Sequence, residues 1–146
     1  MTTALNGLKV LDFSTLLPGP FATMYLADMG AEVSHIESPS RPDLIRIMPP
    51  YANGQATAHS YLNRNKQSIV LDLKDPASID LIKAKISEFD IVIEQFRPDV
   101  MRRLGLDYAT LAEINPRLIY CSITGYGQTG SYKDRAGHDI NYLALA

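Results

Sequence analysis

Leu8-Lys9-Val10-Leu11-Asp12-Phe13 opens a pattern that closes only at Ala31-Glu32-Val33-Ser34-His35-Ile36. The first run follows Asn6-Gly7, is short and apolar, and carries Val10 and Phe13, which favour a buried strand. Ser14 to Pro20 reads as a loop, with Pro18-Gly19-Pro20 as a strong breaker. Phe21 to Met29 then has helical spacing: Phe21, Met24, Tyr25 and Met29 share a face, with Asp28 as the charge beside it. Pro20 suits a first helical turn, where a missing N–H costs little, and Gly30 suits the residue after the last turn. Strand, helix, glycine and strand in so short a span form a βαβ unit, so the two strands should be parallel.

Outward from that unit the same alternation continues. Glu37 to Ser60 has no lasting periodicity and holds Pro39, Pro42, Pro49, Pro50 and Gly54, so it reads as a long connection of the kind that is often functional or mobile. Asn63-Arg64-Asn65-Lys66 is a polar turn and Ser68 to Leu73 a strand. Asp75-Pro76 starts a helix, with Asp75 as N-cap, that should end near Phe89. Ile91 to Glu94 is a short buried strand, Asp99 to Arg103 one or two helical turns closed by Gly105, and Tyr108 to Asn115 a helix. Leu118 to Ile123 is a fifth strand, Thr124 to Ala136 a glycine-rich loop, and a last helix begins at about His138. Five strands alternating with helices predict an α/β fold with a mainly parallel sheet.

Composition narrows the function classes. A chain of 146 residues with formal charge -2 and scattered basic residues has no electrostatic footprint for nucleic acid. One cysteine, Cys121, excludes an internal disulfide, and the three histidines lack ligand-like spacing, so no metal site is expected. No apolar run approaches the roughly 20 residues that span a bilayer. The N-terminal residues lack the features of a signal peptide, so a cytoplasmic protein that does not enter membranes is expected.

Ligands of open parallel sheets bind outside the carboxyl ends of the strands. Three segments should gather there: Ser14–Pro20, Gln95-Phe96-Arg97 and Gly125–Gly137. The glycines Gly125, Gly127 and Gly130 permit backbone approach to a ligand or simply make a turn; they form neither a Walker A loop nor a dinucleotide fingerprint. Arg97, Arg64 and Lys66 could meet a phosphate or be solvated surface charges. Tyr108 and Tyr120 should be core or half-buried, and Asp12 reads as a cap for the loop after its strand. His138 stands at a helix start, either as a packing or capping residue or as a base. A helix N-terminus disfavours imidazolium, which would keep His138 able to accept a proton, and the nearby backbone N–H groups could hold an oxyanion.

Several strings together are far more specific than any one glycine loop. They include Leu5-Asn6-Gly7-Leu8-Lys9-Val10-Leu11-Asp12, Pro18-Gly19-Pro20-Phe21-Ala22, Leu26-Ala27-Asp28-Met29-Gly30-Ala31-Glu32-Val33, Asn63-Arg64-Asn65-Lys66-Gln67-Ser68-Ile69, Asn115-Pro116-Arg117-Leu118-Ile119-Tyr120 and Thr124-Gly125-Tyr126-Gly127-Gln128-Thr129-Gly130. With them the chain resembles the N-terminal part of the class III CoA-transferase superfamily. Ala136-Gly137-His138-Asp139-Ile140-Asn141-Tyr142 is most similar to the α-methylacyl-CoA racemase branch. The resemblance implies a Rossmann-like domain, with residues 1–146 as the N-terminal part of a CoA-binding large domain. It implies 1,1-proton transfer at the α-carbon of a 2-methylacyl-CoA through an enolate, in fatty acid metabolism, with His138 as one acid/base group. The second, a carboxylate in a Gly-Asp segment, would lie beyond Ala146, so the segment by itself would lack a complete site. The implied CoA contacts are Val70, Leu71, Asp72, Leu73, Gln95, Phe96, Arg97, Gly137, Asp139, Ile140, Asn141 and Tyr142. The implied partners are acyl-CoA, as thioester substrate and not as a covalently bound cofactor, and a second copy in an interlocked homodimer. The alternatives are a class III CoA-transferase using an acyl-aspartyl anhydride and a CoA-binding module without catalysis. One departure is Ser38 before Pro39, where the racemases carry an arginine for a CoA phosphate; Arg41 is the candidate substitute.

Overall fold

The computed structural model describes residues 3–145. Its elements run β1 Lys9–Asp12, α1 Pro18–Asp28, β2 Glu32–Glu37, a 3-10 turn at Leu44–Ile47, β3 Tyr51–Ala52, β4 Gln55–Ala56, α2 Thr57–Leu62 and β5 Lys66–Val70. They continue with α3 Pro76–Lys85, β6 Ile91–Glu94, α4 Val100–Leu104, α5 Tyr108–Ile114, β7 Ile119–Ser122 and α6 Asp139–Leu143. The main sheet has the order β5-β2-β1-β6-β7, and every pairing in it is parallel. The α/β expectation is met. Among the described residues no helix is long and apolar enough to cross a membrane.

Alternation along the strands sorts side chains to two faces. Val10 and Val33 face α1, where Ala27 and Ala31 pack against them. Leu11, Phe13 and Val92 face the other way, with Ile82, Ile86, Leu106 and Leu111 beneath α3 and α5. Burying each such side chain is worth about 1.5–3 kcal/mol, which makes this second cluster the main source of cohesion.

Four local readings change. α1 begins at Pro18 and not at Phe21, because none of the first N–H groups of a helix has an intrahelical partner, so both prolines fit in its first turn. Its buried face is Gly19, Pro20, Thr23, Met24 and Ala27, whereas Phe21, Tyr25 and Met29 lie outward. Small residues let the helix sit close to the sheet. The strand expected at Ser68–Leu73 is Lys66–Val70, since β2 offers pairing only as far as Glu37, whose carbonyl accepts from Leu71 N at 3.0 Å. Leu71 and Leu73 then turn under the sheet to join the core, so their apolar character reflects packing and not pairing. The connection after β2 is ordered by the 3-10 turn, the β3–β4 hairpin and α2, short elements in which periodicity has no length to register. Tyr108 is 55% exposed and not core, although it meets the half-buried Tyr120 edge to face at 6.1 Å.

Candidate functional site

The chain leaves β1 for β2 on one side, and β6 later docks on the other. The crevice at this reversal, outside the carboxyl ends of β1 and β6, is where ligands of such sheets bind. Its wall is the loop from Phe13 to Leu17, and nearly every residue of that loop is anchored. Asp12 Oδ1 accepts from Ser14 N at 2.9 Å and also from Ser14 Oγ. Gln95 donates through Nε2 to the Thr15 carbonyl and accepts at Oε1 from Gly19 N at 3.1 Å. Asp43 Oδ2 accepts from Leu16 N at 2.9 Å. Leu16 is held at φ 62, a left-handed conformation that costs a bulky residue about 1–3 kcal/mol and persists only where its surroundings over-determine it. A Cβ on Gly19 would collide with Ser14 and come within 2.8 Å of Gln95 Oε1, so this close approach requires glycine.

Behind the wall lies a buried polar group around Asp12, a residue whose sequence position suggests only a loop cap. Asp12 is fully buried and accepts from Thr23 Oγ1 at 2.6 Å, with His35 Nδ1 at 3.3 Å and Lys66 Nζ at 3.6 Å. Burial pushes its carboxyl up, but the hydrogen bonds and charge of His35, with Ser14 and Thr23, outweigh that and hold it below the usual carboxylate range. Lys66 is therefore not a surface charge. Its side chain is 1% exposed, its ammonium donates to Pro20 O at 2.9 Å and Asn63 Oδ1 at 3.0 Å, and burial pushes its pKa down. Arg64 is tied to Asp28, with Nη2 to Oδ2 at 2.5 Å. The clue to Asp12 was its place in an alternating strand, on the same face as Val10.

The residues predicted to contact CoA fall along one rim rather than in one pocket. Val70 ends β5 and Leu71 to Leu73 follow it at one edge of the sheet, Gln95 to Arg97 follow β6, and Gly137 to Tyr142 come after β7 at the other edge. Four strand spacings separate the two edges, about 19 Å in all. Val70 is exposed, and Leu71, Asp72, Leu73, Gln95 and Phe96 are half-buried. Arg97 is exposed and lines a cleft of about 280 Å³ with Glu94, Tyr108, Tyr120, Ser122 and Gln128. Glu94, missed in the sequence, is 3% exposed at the end of β6 and accepts from Phe96 N at 2.8 Å; burial pushes its carboxyl up. Arg41 is exposed, and its N–H donates to Ser38 Oγ at 3.2 Å.

His138 is exposed and is the N-cap residue of α6. Its N–H donates to Asn141 Oδ1 at 2.9 Å, and its carbonyl accepts from Asn141 N at 2.8 Å. These reciprocal bonds fix the backbone that carries the imidazole. Gly125 and Gly137 lie flat against the ring of Tyr142; a Cβ on Gly137 would stand 2.7 Å from it. Tyr126 meets Tyr142 edge to face at 5.5 Å and Tyr132 at 6.0 Å, so aromatic packing holds the glycine-rich loop beside α6.

The model of one family, described as CoA-transferase family III, matches residues 5–146. The chain belongs to that family. It is similar to succinyl-CoA:glutarate CoA-transferase of Homo sapiens, 45% identical over 143 residues that cover 97% of this chain and 33% of that protein. It is similar as well to alpha-methylacyl-CoA racemase of Homo sapiens, 43% identical over 144 residues that cover 98% of this chain and 34% of that protein. Among solved structures it resembles a CAIB/BAIF family protein from Brucella suis, with a TM-score of 0.92 and 39% identity across 99% of this chain and 39% of that one. The chain thus spans about a third of the length of these relatives. Relatives of this chain in CoA-transferase family III are named both as CoA-transferases and as racemases, so family membership does not resolve the reaction.

Proposed function

We propose that the whole protein is an acyl-CoA racemase, in which His138 moves the α-proton of a 2-methylacyl-CoA. The observation that carries this reading is His138 itself: an exposed imidazole whose backbone is locked by Asn141, at the end of a loop packed on Tyr142. A base for α-proton abstraction needs a fixed position and an open approach for the thioester. The spread of Val70–Leu73, Gln95–Arg97 and Gly137–Tyr142 along about 19 Å of sheet rim suits a long ligand such as CoA better than a small one. In this reading His138 takes the proton from one epimer, an enolate forms, and a second acid/base group returns a proton to the opposite face.

The test is deuterium wash-in at the α-carbon of 2-methylacyl-CoA by the full-length protein. Wild type should exchange, and His138→Ala should lose about 10²–10⁴-fold. The similarity to succinyl-CoA:glutarate CoA-transferase favours a second reading, transfer of CoA between carboxylic acids. That reading predicts a hydroxylamine-sensitive acyl-enzyme, transfer to succinate or glutarate, and indifference to His138→Ala. Transfer without exchange would overturn the racemase proposal.

A further inference from the structure

The helix that carries His138 has almost nothing to hold it in place. α6 runs only from Asp139 to Leu143, and none of its residues is buried. Asp139, Ile140, Asn141 and Leu143 are exposed, and Tyr142 alone is half-buried. A helix of so few residues does not stand by itself in water and needs tertiary packing. The reciprocal bonds between His138 and Asn141 shape the turn but are internal to it, so they do not set where it lies on the sheet. The side chain placed to do that is Tyr142.

Its ring lies between two stretches of backbone. A Cβ on Gly125 would collide with the Tyr142 hydroxyl and stand 2.7 Å from Cζ, and a Cβ on Gly137 would stand 2.7 Å from Cε1. Neither glycine has a positive φ, so the backbone conformation would accept other residues there. What requires glycine at both positions is the space taken by one tyrosine ring. Gly125 is referenced to the sheet, because Ile123 N donates to Glu94 O at 2.8 Å and carries the β6–β7 pairing past the end of β7. Gly137 immediately precedes His138. Tyr126 braces the ring edge to face at 5.5 Å, Tyr132 braces Tyr126 at 6.0 Å, and Arg135 covers Tyr132 at 4.2 Å. Lys133 Nζ lies 3.6 Å from Asp99 Oδ2, which ties the same loop to the turn after β6.

Ile123, Gly125, Tyr142 and Gly137 thus form one continuous path from the sheet to the imidazole. We propose that Tyr142 is a positioning residue for the reaction: its ring, seated on Gly125 and Gly137, sets where His138 stands relative to the carboxyl ends of the strands. Its part is to hold His138, which differs from the CoA contact that the sequence resemblance implies for it. The proposal rests on the reading of His138 as the group that moves the α-proton.

The experiment is deuterium wash-in at the α-carbon of 2-methylacyl-CoA by full-length variants, with kcat and KM separated. Tyr142→Ala should lower kcat about 10–100-fold with KM within about twofold of the parent, because a displaced base loses rate and not ground-state binding. Tyr142→Phe keeps the ring and should recover kcat to within about threefold of the parent. Gly137→Ala sets a methyl against the ring and should lower kcat about tenfold; in the Tyr142→Ala background it should cost nothing further, since the space is vacated. A second readout needs no turnover. The Asn141 N–H, which donates to His138 O at 2.8 Å, should exchange with deuterium about tenfold faster in Tyr142→Ala. That measurement stands even if His138→Ala proves indifferent and the racemase reading fails. If Tyr142→Ala does not fold, Gly137→Ala decides by the same two readouts. A parent-like kcat with a raised KM would make Tyr142 a CoA contact. Tyr142→Phe as slow as Tyr142→Ala would make the hydroxyl the working group. Unchanged Asn141 exchange would show that α6 keeps its place without the ring. Each of these results would overturn the proposal.

Discussion

Replacing Asp12 by asparagine keeps the side chain's shape and removes one charge from a fully buried site. In the parent, that carboxylate accepts from Ser14 and Thr23 and stands 3.6 Å from the Lys66 ammonium. Asp12→Asn leaves Lys66, whose side chain is 1% exposed in the parent, with only neutral acceptors, Pro20 O and Asn63 Oδ1. Removing one partner of a buried pair costs about 3–5 kcal/mol, a large part of the roughly 5–15 kcal/mol that holds a typical domain together. With a urea slope of about 2 kcal/mol/M, the midpoint should fall by about 2 M. The pH dependence has a definite sign. Burial already sets the folded Lys66 below its usual 10.5, so stability rises with pH as that proton leaves. Without Asp12 to favour the ammonium, the rise begins at lower pH, and the gap between Asp12→Asn and the parent narrows toward pH 10.5. Urea unfolding followed by circular dichroism measures both effects. Adding Lys66→Met to Asp12→Asn should recover part of the loss, because no uncompensated charge remains. A parent-like midpoint for Asp12→Asn, or a double variant no more stable than the single one, would refute the charge-pair account.

Two further outcomes follow from the same polar framework. Hydrogen bonds from Arg46 above all, against the opposing effect of burial and with help from Ser68, hold the Glu37 carboxyl at about 2, below its usual 4.5. Its contribution is therefore present above pH 4.5 and is lost as pH falls from there toward 2. Glu37→Gln should cost about 1–2 kcal/mol at pH 7, discounted for the half-open Arg46, and urea midpoints of variant and parent should converge near pH 2. Gln95→Ala removes the tie between β6 and the crevice loop, so the Gly19 amide should exchange about tenfold faster with deuterium while global stability falls by about 1–2 kcal/mol. An unchanged Gly19 exchange rate would mean that the loop holds its shape without Gln95.

Much of this molecule is written in local patterns. Val10 and Leu11, and Ile91 to Ile93, announce buried strands because a strand in a parallel sheet is covered on both faces. Asp75-Pro76 announces a helix start, and Asp75 Oδ1 does accept from Ala77 N at 3.0 Å. Gly105 closes α4 in the left-handed conformation at φ 67, as its place after a short apolar turn requires. Family membership is equally legible, because strings such as Asn63-Arg64-Asn65-Lys66 and Thr124–Gly130 survive as text. Other features depend on which distant segments meet. Lys66 sits in a polar tetrapeptide and reads as solvated; only the pairing of β5 with β2, and α1 lying across them, buries it beside Asp12. Gln95, expected as a CoA contact, is also a staple, because β6 docks beside β1 and brings it to Thr15, 80 residues away in sequence. His59 and Arg46 carry no motif at all, and they share a cavity because a hairpin and one short helix fold back over the end of β2. Periodicity and capping act over a few residues, so the sequence alone determined the elements and their class. Burial and charge pairing act between elements, so only the tertiary structure decided which polar side chains are framework and which are open to a ligand.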